Sequence, residues 1–328
     1  MHLYKVRNLI FQDIEKLDKW MKFFLKNSIP LINDVCHYTI YNGGKKIRSI
    51  LCLLSAKSIF CNSNVAIILA MIIEIVHTAT LLHDDVIDSS KIRRGKKTVN
   101  TLWNNTTAIL SGDYLYSKAL LLMSNLDDKI AMKKLIQCTQ KLAEGEIMQM
   151  YANFNINIEE KEYLKIINYK TAILFEMACS LPAIILKKNF QTIQIFKLLG
   201  HHIGMAFQLI NDIIDYKNIN DRIRKKSYED LYEGKMTLPI IHIMQKRNNI
   251  KNIEKIYQVF DKSLKNRKNL FQDIHNLVIN SGSIEYVKNC IQNEINLAKL
   301  YIKKLPYSSY KKGLFMICDS LIKKGIKN

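Results

Sequence analysis

Residues 65–95 read VAIILAMIIEIVHTATLLHDDVIDSSKIRRG. The first eighteen, Val65–Leu82, are apolar nearly all round a helix, which by length alone could cross a bilayer. Glu74 and His77 lie inside that stretch, and Asp84, Asp85 and Asp88 close it. A charged group at bilayer depth is costly. A helix apolar on every side is otherwise the core helix of a larger protein. The reading is therefore a buried helix over 65–88, wrapped by other helices, and not a transmembrane span.

The rest of the chain supports a helical wrapping. Its 328 residues hold only 11 Gly and 4 Pro, so breakers are scarce and helices run long. Residues 8–41 read as one or two amphipathic helices with a break near Pro30. Further helices are predicted in the stretch after Asn42-Gly43-Gly44 and over 106–126, 129–152, 159–186, 190–216, 236–246 and 252–327. Residues 91–100 read as a basic loop, and 217–235 as a polar loop with short helical pieces. Neither a low-complexity linker nor a repeat divides the chain. One all-α domain of ten or more helices, residues 1–328, is expected.

Seven cysteines, odd in number and without a C-x-x-C, read as reduced thiols of a cytoplasmic protein. The first twenty residues show no signal-peptide pattern. The net charge of +20 is mostly lysine, spread along the chain, so no nucleic-acid partner is expected. Arginine is different. There are eight, and Arg48, Arg93 and Arg94 stand beside the features that follow.

Asp84 and Asp88 are i, i+4 and share a helix face, with Asp85 to one side. Three carboxylates at a C-terminal helix end repel one another and oppose the macrodipole. A bound hard cation removes both costs. Oxygen donors without His or Cys suit Mg²⁺, which shares carboxylates with substrate phosphates. A second acidic end recurs in GMAFQLINDIID, residues 204–215, with Asp212 and Asp215 behind Asn211. Two such ends facing each other would hold several metals. Gly43-Gly44, Lys45 and Arg48 at a helix start, with Arg93 and Arg94, suit phosphate. Lys170, Lys225 and Lys235 sit in further polar-edged stretches. His77 lies two turns before Asp84 on the same face.

These stretches, in order, resemble the trans-type polyprenyl diphosphate synthases, and the octaprenyl type most. The landmarks are GGKKIR (43–48), IVHTATLLHDDVIDSSKIRRG (75–95), AEGEIMQM (143–150), YKTAILFE (169–176), FQLINDIID (207–215) and DLYEGKMTLPIIH (230–242). The resemblance implies the isoprenoid synthase fold, an all-α bundle around a central cavity, as a homodimer. It implies head-to-tail addition of isopentenyl diphosphate to an allylic diphosphate, farnesyl diphosphate for preference. It implies two or three Mg²⁺ ions on Asp84, Asp88 and Asp212, with Asp85 and Asp215 in support. Arg93, Lys170, Thr171, Gln208 and Lys225 would grip the allylic diphosphate. Lys45, Arg48, His77 and Arg94 would hold isopentenyl diphosphate.

The chain departs from the family at several points. Asn211 stands where the second motif usually opens with Asp, and Ser49 where a Pro usually follows Arg48. Arg224, Tyr228 and Glu229 alter the loop after the second motif. Product length is partly readable. Ala79, five residues before Asp84, lies about 7.5 Å deeper along the helix. Short-chain members usually place an aromatic ring there; Ala79 and the neighbouring Thr80 leave it open. A floor is expected near Ile72, Ile75 or Val76 and Leu120 or Met123. The product is expected to be long, octaprenyl (C40), for a quinone side chain. The alternatives are a catalytically weak subunit that needs a partner, suggested by Asn211, and a short-chain (C15–C20) synthase.

Overall fold

The computed structural model describes residues 2–41, 44–217, 229–246, 250–261 and 270–327. The helices in chain order are α1 (His2–Leu9), α2 (Phe11–Phe24), α3 (Pro30–Tyr41), α4 (Ile47–Ser58) and α5 (Ser63–Ile87). Two short strands follow, β1 (Ile92–Arg93) and β2 (Lys96–Lys97). Then come α6 (Val99–Leu102), α7 (Asn105–Ser124), α8 (Lys129–Ala152), α9 (Glu160–Ile167), a π-helical turn (Asn168–Ala172) and α10 (Ile173–Ile185). The remainder is α11 (Phe190–Lys217), α12 (Glu229–Glu233), α13 (Leu238–Lys246), α14 (Ile250–Phe260), α15 (Phe271–Asn280), α16 (Ser283–Lys303), α17 (Ser309–Ile322) and a second π-helical turn (Lys323–Lys327).

Short polar side chains start these helices. Asn62, Asn104, Asp128, Asn189 and Ser308 each accept a backbone N–H of the first turn of α5, α7, α8, α11 and α17, at 2.7–3.0 Å. Such caps satisfy donors that the helix itself leaves open. Pro30 opens α3, where its missing N–H costs nothing. The predicted break near Pro30 is therefore a helix start, and residues before it form two helices rather than one.

The described residues form two units, each discontinuous in sequence. The first comprises Met1–Thr139, Leu174–Gly200 and Tyr301–Ile317. Its centre is α5, packed against α2, α4, α6 and α7. Ile67, Leu69, Ile72, Ile73, Ile75, Val76 and Ala79 are fully buried, as the core-helix reading requires. The second unit comprises Gln140–Ile173, His201–Leu300 and Cys318–Asn328. In it α13 packs on α9 and α15, and α14 on α15.

The stretch 91–100 is not the plain loop that its polarity suggests. β1 and β2 pair antiparallel, Ile92 with Lys97 and Arg93 with Lys96. The two residues between them, Arg94 and Gly95, have φ of +52° and +80°. That is the twist of a type I′ hairpin, which favours positive φ at both positions. All seven cysteines are free, and all but Cys290 are buried.

Candidate active site

In the first unit the acidic end of α5 is held rigidly. Asp85 is buried, and its carboxylate accepts from Arg93 Nε at 2.7 Å. Burial outweighs that partner and lifts the Asp85 carboxyl above its usual range. Asn100 Nδ2 donates to the backbone carbonyls of Asp85 and Ser90, both at 3.1 Å. Thr98 Oγ1 donates to the Ser90 carbonyl at 2.7 Å. These bonds tie the hairpin to the helix end and fix where Arg93 and Arg94 project. Asp84, in the last turn of α5, and Asp88, which caps it, are half-exposed. The three aspartates therefore differ: one is a buried partner of Arg93, and two face outward.

Arg48 lies buried at the start of α4. Its Nη1 is 3.2 Å from His77 Nε2, and its guanidinium stacks 4.4 Å from the Phe175 ring centre. Burial pulls its pKa down to about 10. His77 is held well below its ordinary value, by burial and then by Arg48, Arg94 and Arg93. It is neutral at pH 7, so its ring can accept from Arg48. Sequence reasoning missed Glu74. It is buried one turn before His77 and accepts the Ser49 hydroxyl. Its charge favours the charged forms of both Arg48 and Arg94. The signal was present: a lone carboxylate inside an apolar helix needs a nearby cation. Glu74, His77, Asp85, Arg93 and Arg94 line one pocket. Lys45 is exposed, while its neighbour Lys46 pairs with Asp18.

In the second unit three predicted residues meet, and a fourth, Lys170, adjoins them in sequence. Thr171 Oγ1 donates to Gln208 Oε1 at 3.0 Å, and Gln208 Nε2 donates to Asp212 Oδ1 at 2.9 Å. The Tyr163 hydroxyl donates to the other Asp212 oxygen. Lys170 pairs with Glu146 at 2.7 Å. Lys170 and Thr171 both lie in the π-helical turn 168–172, a feature that concentrates at functional sites. Tyr163 and Glu146 were not foreseen. They lie 49 and 24 residues from their partners, beyond any local pattern. Asp215 and Asn211 are half-exposed. Lys225, Gly43, Arg224 and Tyr228 lie outside the described residues, and of Glu229 only its place opening α12 is described.

Asp212 is buried, and burial raises its pKa to about 7, with Asp230 adding to the rise. The folded state therefore binds this proton more tightly than the unfolded chain does. Its contribution to stability falls as pH rises from about 4 to about 7 and stays low above that. Asp212→Asn removes this dependence. The variant should gain on the parent protein in urea midpoint on going from pH 5 to pH 8. A constant difference across that range would contradict the assignment.

The oxygen-only donors Asp84 and Asp88 fit a hard divalent cation. Among the described residues, no three His, Cys, Asp or Glu side chains converge into a ready-made metal cage. That donor set suits an ion that completes its shell with substrate phosphate oxygens.

Known proteins share this chain's sequence pattern and fold. The model of the family described as polyprenyl synthetase matches residues 29–274. An all-trans-nonaprenyl-diphosphate synthase (geranyl-diphosphate specific) of Rhodobacter capsulatus is 36% identical over 308 residues, 93% of each chain. An octaprenyl diphosphate synthase of Escherichia coli is 31% identical over 314 residues, 96% of each. The fold matches a polyprenyl synthase of Caulobacter crescentus complexed with calcium and isoprenyl diphosphate. Its TM-score is 0.91 at 26% identity, over 98% of this chain and 97% of that one. Names among the relatives run from geranylgeranyl to octaprenyl and nonaprenyl, so product length varies within the group. With the isoprenoid synthase fold, the two acidic helix segments and the basic set in place, this chain belongs to the polyprenyl synthetase family, the metal-dependent prenyltransferases that make polyprenyl diphosphates.

Proposed function

We propose that the chain extends farnesyl diphosphate with isopentenyl diphosphate units to a long trans-polyprenyl diphosphate, octaprenyl in length. The observation that carries the length is Ala79. It lies on α5, five residues before Asp84, and carries only a methyl where a ring would close the path. The identities with octaprenyl and nonaprenyl synthases support the same reading. The proposed use of the product is the side chain of a respiratory quinone.

In each cycle the allylic C–O bond breaks, a C–C bond forms to isopentenyl diphosphate, and the departing diphosphate takes the proton lost from that substrate. In this reading Lys45, Arg48, His77 and Arg94 hold isopentenyl diphosphate. Neutral His77 keeps the Arg48 fork oriented without adding charge. Arg93, Lys170, Thr171, Gln208 and Lys225 serve the allylic diphosphate, and Arg93 and Lys170 exchange their carboxylate partners for it. Glu74 holds Arg48 and Arg94 charged. Mg²⁺, when bound, would neutralise charge that builds on the leaving group. Asp84 and Asp88 are its proposed ligands, with Asp215 in support. Asp212 is a further proposed ligand: each of its oxygens accepts one hydrogen bond, from Tyr163 and from Gln208, and keeps a second lone pair.

The family match spans parts of both units, which supports one catalytic domain. Exposed Ile109, Leu110 and Leu121 on α7 support a homodimer, which sedimentation at twice 38.2 kDa checks. Reduced thiols support a cytoplasmic setting.

The test is a product assay with purified protein, Mg²⁺, farnesyl diphosphate and labelled isopentenyl diphosphate. A C40 product is expected. A C15–C20 product would overturn the length. Asn211 favours a second reading, a subunit dependent on a partner. That reading gains if the folded protein binds isopentenyl diphosphate but makes nothing alone.

A further inference from the structure

The π-helical turn 323–327 lies against α11 in the second unit. Lys324 Nζ stands 3.4 Å from Oδ1 of Asn211 and 5.5 Å from the centre of the Phe207 ring. Gly325 permits the approach: a Cβ there would lie 2.6 Å from Cγ1 of Ile210. Phe207 and Asn211 are i, i+4, so one stripe of α11 receives the ammonium. The neighbouring stripe carries Gln208, Asp212 and Asp215.

The lysine thus meets the one position where this chain departs from its family's second acidic motif. An aspartate at 211 would add a negative charge and attract a divalent ion. Asparagine offers an oxygen and no charge. Asp212 already accepts from Tyr163 and Gln208 through its two oxygens. A divalent ion approaching Asn211 would also meet the Lys324 ammonium, a like charge. We propose that Lys324 is a built-in cation of the second acidic motif, standing in for a metal ion beside Asn211 and offering its charge to a diphosphate. Asn211 and Lys324 are then a matched pair: the loss of the carboxylate and the placing of the ammonium belong together. The proposal rests on the diphosphate reading of the site given above.

The test counts Mn²⁺ bound per chain by electron paramagnetic resonance, with saturating inorganic pyrophosphate as the probe. Asn211→Asp combined with Lys324→Gln should bind one more Mn²⁺ than the parent. Asn211→Asp alone should not, because Lys324 pairs with the new carboxylate. Lys324→Gln alone should weaken metal-free pyrophosphate binding about tenfold, as loss of a charge-assisted contact does. Lys324→Arg should keep it. Both positions are half-exposed, and circular dichroism checks that each variant is folded. Equal Mn²⁺ counts in the parent and the double variant overturn the proposal, as does unchanged pyrophosphate affinity in Lys324→Gln. If the parent still makes polyprenyl diphosphate in those cases, only this inference fails. If the parent binds neither pyrophosphate nor Mn²⁺, the diphosphate reading fails with it.

Discussion

Gly145→Ala is expected to cut kcat/KM for the allylic substrate about a hundredfold while leaving isopentenyl diphosphate affinity unchanged. Gly145 sits in α8 against the π-helical turn that carries Lys170 and Thr171. A Cβ on it would lie 2.5 Å from the Lys170 backbone nitrogen and 2.8 Å from the Tyr169 carbonyl carbon. Those are main-chain atoms, which cannot swing aside as a flexible side chain can. The turn must move bodily, taking with it the Lys170–Glu146 pair and the Thr171–Gln208 bond. Displacements near 1 Å in a positioning group are enough for an effect of this size. Overpacking should also destabilise the fold by about 1–3 kcal/mol. The residues proposed to hold isopentenyl diphosphate, Lys45, Arg48, His77 and Arg94, belong to the first unit, so calorimetric titration with that ligand is the control. An alanine variant with parental turnover would show that Gly145 does not set the turn.

The sequence showed the large features because their causes are local. An apolar run with charges at one end makes α5 legible, and Asn or Asp before such a run marks a start, as at Asn62, Asn104, Asp128 and Asn189. What stayed hidden depends on contacts or on single backbone angles. Arg94 is an unusual residue for the first position of a type I′ turn, so nothing announced the hairpin. The π-helical turn shifts the helical register by one residue without changing the side-chain pattern. The spacing of Asp212 and Asp215 placed two carboxylates near each other. It could not say that Asp212 turns inward to Tyr163, from another helix. Ser49 stands where a Pro is usual, and nothing local shows that its hydroxyl holds Glu74, a contact across 25 residues.

The three aspartates of the first motif should separate into two classes when each becomes Asn. Asp84→Asn and Asp88→Asn are expected to lose about a thousandfold or more in turnover, since metal neutralisation of the leaving group supplies several kcal/mol. Their stability should hold or rise by up to about 0.5 kcal/mol. Each removes a negative charge from the C-terminal end of α5, where the helix dipole opposes it. Asp85→Asn should do the opposite in stability. It breaks a buried carboxylate's bond to Arg93 and leaves an amide where an ion pair stood. Fully buried pairs cost about 3–5 kcal/mol to break. Arg93 is 36% exposed and can turn to water, so about 1–3 kcal/mol is expected here. Turnover should fall as well, because Arg93 is no longer held at the helix end. Urea midpoints and product assays on the three single variants give six numbers, and the pattern is what matters. On the proposed reading two residues of the motif would hold diphosphate-bound metal, while the third holds an arginine. If all three midpoints shift together, Asp85 has no structural duty of its own, and the pairing with Arg93 does not organise this end of α5.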